Sequence, residues 1–234
     1  MKKFVTLSCA LLLAGGLAFA QEQEKKTIEV TGEDELQQEK GRFQLTFVHP
    51  NADITRYDKI YTWDPVYQFR DVGKGREVTS TTSLLQTGQG PFAVRTDDQQ
   101  KFEELVNKAM LKELGRSKKF EVVDQIAPGT LLLRSAFLDI TSRVPPSRAG
   151  IVDVHLTTVG EATMVFELID AETGVIQARV GERRLIQPPS SMYQVGAMPS
   201  NSATIWAEVD MWASDVARDL RVALDKAKKK AGKE

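Results

Sequence analysis

The residues able to do chemistry are few and scattered. His49 and His155 are the only histidines, and no His-x-x-x-His spacing exists. A metal site needs clustered His, Cys or carboxylate ligands, so no metal ligands are expected, and each histidine reads as a loop residue. No Gly-x-Ser-x-Gly turn exposes a serine nucleophile, and no Gly-x-x-x-x-Gly-Lys-Ser/Thr loop can cradle a phosphate. Gly73-Lys-Gly75 lacks the third glycine and the following helix. Glu161 and Glu167 could form an acid–base pair in principle, but on a strand they stand three pleat steps apart on an outward, solvated face. Arg134 and Asp139 interrupt an apolar strand. Their parity places them on opposite faces, each expected to pair structurally rather than catalytically. The expectation is therefore no catalytic residue, no cofactor and no enzyme activity.

A binding surface is better supported than a reaction. Thr130 to Thr141 is apolar on both faces, with Leu131, Leu133 and Phe137 on one and Leu132, Ala136, Leu138 and Ile140 on the other. That pattern predicts a central strand. Ala162, Met164, Phe166 and Leu168 predict the inward face of the next strand. Asp170-Ala-Glu-Thr-Gly174 predicts a hairpin, and Ile176, Ala178 and Val180 the inward face of the return. If these three strands form a meander, loops 142–158 and 187–201 must meet at one edge of the sheet. Both contain Pro-Pro pairs and apolar residues with no evident partner. Arg143, Pro145, Pro146, Arg148, Met192 and Tyr193 are therefore the candidate binding residues, stiff and apolar with added positive charge. The competing expectation is that the two loops only cover each other and cap the core.

The remaining elements follow from period and caps. Phe43 to Val48 alternates as a short edge strand. Tyr57 to Trp63 and Val66 to Phe69 are β-branched and aromatic, with Pro65 kinking them or holding them at an edge. Segment 70–95 is rich in Gly, Ser and Thr and reads as a long loop with one weak strand at 83–85. Thr96-Asp-Asp-Gln99 is a capping-box pattern that opens a helix ended by Gly115. Phe120 to Asp124 is a short strand, and a last helix begins near Ser202. The simplest packing is α+β: a single twisted, mostly antiparallel sheet of about five strands with two helices on one face.

Residues 1–20 carry Lys2 and Lys3, an apolar run from Phe4 to Leu17, and Ala18-Phe19-Ala20. This is the pattern of a signal peptide cleaved between Ala20 and Gln21, and it implies export to the periplasm, with outer-membrane association open. Cys9, the only cysteine, lies within that signal, so the mature chain has no disulfide or thiol. Thr6 stands where a lipidation signal has leucine, and lipidation of Cys9 stays open. Residues 21–42 read as a charged, disordered leader, 43–225 as one α+β domain, and 226–234 as a basic tail. The formal net charge of −1 gives no basis for nucleic-acid binding. Peripheral membrane association through the C-terminal lysines is a weaker expectation than a frayed tail.

Several blocks occur in a fixed order: Tyr67-Gln-Phe-Arg-Asp-Val-Gly73, Phe120-Glu-Val-Val-Asp, Pro128-Gly-Thr-Leu-Leu-Leu, Asp139-Ile-Thr-Ser-Arg-Val-Pro-Pro146, Val159-Gly-Glu-Ala-Thr and Ala178-Arg-Val-Gly-Glu-Arg-Arg184. Over about Tyr57 to Arg221 the chain resembles the domain-of-unknown-function family 3313, bacterial secreted proteins often labelled lipoproteins. The resemblance implies an envelope location and no transferable activity. The expected function is a non-enzymatic envelope interaction or assembly module with an unidentified protein or lipid partner. The alternative is a periplasmic binder of a small hydrophobic ligand or lipid.

Overall fold

The computed structural model describes residues 28–72, 91–145, 155–187 and 198–232. Strands β1 (Gln37–Gln38), β2 (Leu45–Val48), β3 (Lys59–Thr62) and β4 (Val66–Phe69) precede helix α1 (Thr96–Leu114). Then come β5 (Glu121–Val123), β6 (Thr130–Ser142), β7 (His155–Leu156), β8 (Gly160–Asp170), β9 (Ile176–Ile186), β10 (Met198–Pro199) and helix α2 (Ser202–Ala231). The fold is α+β, but the sheet is larger and more mixed than about five antiparallel strands. Eight strands run in the order β1-β2-β9-β8-β6-β3-β5, with β4 also on β6, and the sheet is open.

The mixed character has a simple origin. β3 and β4 lie one after the other along the same edge of β6, both parallel to it, and Asp64-Pro65 breaks the ladder between them. Proline lacks the N–H that a continuous strand would need at that point. β5 returns parallel to β3 after α1. Alternation reveals a strand but not its direction, so parallel pairing was not readable from period alone.

β6, β8 and β9 form the expected antiparallel meander. Two irregularities reassign side chains within it. At the β6 bulge Asp139 takes φ 52° and the register shifts between Leu138 and Thr141. An extra residue flips the parity beyond it. Ile140 therefore joins Leu131, Leu133 and Phe137 in the core beneath the helices, rather than Leu132 on the opposite face. A second shift, at Leu168/Ile169, places Ile176 on the far face instead of beside Ala178 and Val180.

The main core lies between one sheet face and both helices. Phe137 is fully buried, stacked on Tyr67 at 5.2 Å and edge-on to Phe166 and Trp212 at 5.9 and 6.4 Å. α1 presents Phe102, Val106, Ala109, Met110 and Leu114, and α2 presents Val209, Trp212, Val216, Leu220 and Leu224 at helical spacing. The capping box of α1 is not formed. Arg95 occupies the cap position without a side-chain cap, while the Gln99 amide donates to the Val94 carbonyl. At α2, Asn201 Oδ1 accepts the Thr204 N–H at 2.9 Å and sets the start.

On the other face a smaller cluster of Leu132, Ile169, Ala171 and Ile176 is covered by Ile28, Val30, Leu36, Tyr61 and Trp63. Residues 28–38, expected to be part of a solvated leader, thus supply packing and the edge strand β1. Three apolar residues spaced through a polar segment suffice to anchor it. Thr31 bridges to Val175, and Gly174, at φ 76°, lies so close to the Glu29 carbonyl that a Cβ would stand 2.0 Å from it. Residues 226–231, expected to fray, continue α2. Leu224 seats the helix in the core just before them, and the Lys228 ammonium caps the Tyr57 and Lys119 carbonyls.

Candidate functional site

The meander brings the loop roots together as its geometry requires. Ser142 pairs with Gly160, and Gly160 with Ile186, so β6 ends, β8 begins and β9 ends at one edge. Gly160 is needed there, because a Cβ would meet the Thr141 carbonyl oxygen at 2.1 Å. The two loops also pair directly: Leu156 faces Met198 and His155 faces Pro199 in the two-residue ladder of β7 and β10. Both roots of a third connection, at Arg70 and Phe92, share this end. The Arg70 N–H donates to the Ile140 carbonyl at 2.9 Å, and Phe92, where the chain returns, donates to Ser142 at 2.8 Å.

Of the candidate binding residues, Arg143 and Pro145 fall at this end, both half-buried. Arg143 donates its N–H to the Val159 carbonyl at 2.7 Å and pairs with Glu161 at 3.7 Å. Pro146, Arg148, Met192 and Tyr193 lie outside the described residues, as do the strand expected at 83–85 and the cleavage site Ala20/Gln21.

The structure adds residues that spacing did not single out as a group. On the face away from the helices, Arg70 and Arg183 both donate to the Asp139 carboxylate, Arg183 at 2.7 Å. Arg183 also reaches Glu161 at 3.0 Å and the Thr163 hydroxyl at 3.3 Å. With Arg143 this makes a chain of three guanidiniums and two carboxylates across β4, β6, β8 and β9. The bulge causes it: an unbroken β6 would point Asp139 into the core with Phe137. Asp139 and Arg134 accordingly share the outer face, contrary to the parity expectation. An aspartate at an odd position in an apolar strand was the available signal, and its partners become visible only with the register.

Three pleat steps along β8 from Glu161, Glu167 is 6% exposed beneath Arg134 and Arg179, with Arg179 Nη2 at 2.6 Å from both Glu167 and Glu33. Glu161 and Glu167 are covered by arginines rather than solvated. The two guanidiniums hold Asp139 down to about 2, and Arg183 lowers Glu161. A folded-state value below the unfolded one contributes stability above the ordinary carboxylate range, and that contribution is lost as pH falls towards 2. Between about pH 4 and 2 the urea midpoint of the wild type is expected to fall more steeply than that of Asp139→Asn. Parallel curves would exclude this contribution.

His49 Nδ1 accepts the Asn51 N–H at 3.1 Å and Nε2 lies 2.8 Å from Glu35, so this histidine fastens the leader. Tyr57 donates to Asp170 at 2.7 Å in the interior. Burial opposes ionisation of Asp170, but Tyr57 and the Thr173 and Glu172 N–H groups outweigh it and lower its pKa. Among the described residues no group of three His, Cys, Asp or Glu could hold a metal ion. No described helix is long and apolar enough to cross a membrane. A groove lies beside Trp63, Asp64 and Pro65, walled by Asn107, Met110 and Leu111 of α1.

No family model matches the chain, and no curated protein is similar to it. Among solved structures it is similar to the XCC0632 protein of Xanthomonas campestris, assigned to domain-of-unknown-function family 330. Identity is 10% with a TM-score of 0.41 over 87% of this chain and 95% of that one. It is also similar to the PelC dodecamer from Paraburkholderia phytofirmans, at 14% identity and a TM-score of 0.33 over 79% of this chain and 96% of that one. Likenesses of this strength identify neither an activity nor a partner.

Proposed function

We propose that the protein is a non-enzymatic, exported cell-envelope module that docks a partner at the loop end of its sheet. The export signal expected in residues 1–20 and the resemblance to domain-of-unknown-function family 3313 support the location. The single observation behind the docking surface is the convergence of the roots of three connections on one sheet edge, fastened by the arginine–carboxylate chain that includes Arg143 and Asp139. A rigid scaffold presenting several loops from one end is a common form for a recognition surface.

A photoreactive side chain placed at Leu185, 43% exposed at this end, tests the proposal in intact cells. It is expected to give a discrete adduct that Arg143→Ala weakens, while the same probe at Ile126, at the opposite end, does not give it. Arg143→Ala is expected to leave Tm within about 2 °C, because a half-exposed ion pair contributes little. A large loss of stability, or equal adducts from both probes, would instead make the loop end a cap on the core.

The second reading, a binder of small hydrophobic ligands, is favoured only by the groove beside Trp63. Quenching or shifting of tryptophan fluorescence by an apolar ligand, abolished by Leu111→Arg, would select it.

A further inference from the structure

On the face of β6 that meets the helices, alternate residues read Leu131, Leu133, Ser135 and Phe137. The serine interrupts an apolar row. Ser135 is 3% exposed, and its hydroxyl, which opens into the groove beside Trp63, has no hydrogen-bond partner among the described residues. A buried polar group without a partner costs stability, so its presence calls for a reason. Its position supplies one. Ser135 lies opposite the break at Asp64-Pro65, where β3 has ended and β4 has not begun.

Three other polar groups line the same groove. The Tyr67 hydroxyl donates to Asn107 Oδ1 at 2.7 Å, which leaves the Asn107 NH2 to the groove. Burial and the Glu103 charge push the Tyr67 phenol up, so it stays a donor. Thr62 adds a hydroxyl and Asp64 a carboxylate, neither with a described side-chain partner. Asp64 is the only charged residue of the lining, and Lys108 and Lys112 of α1 are exposed and outside it. Met110, Leu111 and Leu133 make the walls apolar. The groove holds about 190 Å³. Sites that engulf an organic ligand hold roughly 300–1,000 Å³, so this one has room for a single long side chain.

The strand edge beside the groove is an independent observation. β5 covers β3 only at Lys59, Ile60 and Tyr61, and β4 pairs with β6 alone. The Arg70 N–H donates to Ile140, so alternation turns the N–H and C=O groups of Tyr67 and Phe69 to the other side, where no described strand lies. Val66, 56% exposed, and Gln68 leave the outer face of this edge open. Unpaired backbone groups in a row are a template for another strand.

We propose that an extended segment of a partner protein adds to the β4 edge as a strand and seats a lysine or arginine side chain in the groove. The peptide groups of the segment match the free groups of Tyr67 and Phe69. The stem of the basic side chain lies against Met110, Leu111 and Leu133, and its cationic end meets Asp64 and the Ser135 hydroxyl. None of the lining residues belongs to the arginine–carboxylate chain of the loop end, so this proposal and docking at the loops can fail separately.

Residues 21–234 retain every element of the described fold and suit solution NMR with the peptide acetyl-Thr-Val-Lys-Val-Thr-amide as probe. The peptide is expected to shift the Asn107 side-chain amide and to slow hydrogen exchange at the Tyr67 and Phe69 amides. Norleucine in place of its lysine should weaken binding about fivefold, as should Asp64→Asn with the lysine peptide. N-methylation of its three central residues should abolish binding. Ser135→Ala removes the unpartnered hydroxyl, so it should hold or raise Tm while weakening the lysine peptide about threefold. No binding of the lysine peptide, equal binding of the norleucine or N-methylated peptide, or unchanged affinity in Ser135→Ala would each overturn the proposal. Tyr67 and Phe69 amides already protected in the protein alone would overturn it too, by showing that the chain itself or a second copy covers the edge.

Discussion

Phe137→Ala is expected to destabilise the protein by about 4 kcal/mol, the cost of deleting a fully buried ring from a packed core. The side chain has no exposure and touches Tyr67 from β4, Phe166 from β8 and Trp212 from α2. It is the residue through which the parallel and antiparallel halves of the sheet meet the helices. Few neighbours can collapse into the space, because each is held by its own strand or helix. Urea unfolding followed by circular dichroism measures the loss. At about 2–4 °C per kcal/mol for a domain of this size, Tm should drop by roughly 10 °C. A loss under about 1.5 kcal/mol would mean that the core is not organised around this ring.

Gly160→Ala is expected to cost about 3 kcal/mol, and to do so at the loop end. The added Cβ would lie 2.1 Å from the Thr141 carbonyl oxygen, an atom of the backbone that no rotamer change can move aside. β6 and β8 must part at Ser142–Gly160, which also loosens Gly160–Ile186 on the other side. Partner capture at Leu185 should therefore weaken together with stability, whereas Phe137→Ala should leave capture intact at temperatures where the variant is still folded. Comparing adduct yields from both variants below their Tm separates the two effects. Equal adduct loss in both would show that capture follows global stability and not the geometry of the loop roots.

The hydrophobic period of residues 130–186 was enough to define a buried central strand, a hairpin and a meander, because apolar alternation follows directly from the pleat. The same reasoning predicted that the segments after Thr141 and Ile186 start from one edge, and it placed Arg143 there. Helix faces were legible for a similar reason: the buried residues of α1 and α2 recur at the helical period.

Other features depended on interactions distant in sequence. Nothing in Tyr57 to Phe69 says that β3 and β4 run parallel to β6, since strand direction depends on how α1 returns the chain. The bulge at Asp139 changed which face Ile140 and Asp139 occupy, and so created the Arg70–Asp139–Arg183–Glu161 chain. The leader packs because Ile28, Val30 and Leu36 find an apolar patch made by Leu132, Ile169 and Ile176, residues far away in the sequence. Composition alone identified the basic C-terminal lysines. Only tertiary packing, through Leu224, Ser117 and Lys228, made residues 226–231 the last turns of α2 and not a tail. Local period and turn chemistry thus determined the individual elements, while long-range register and docking decided which charged side chains share a face.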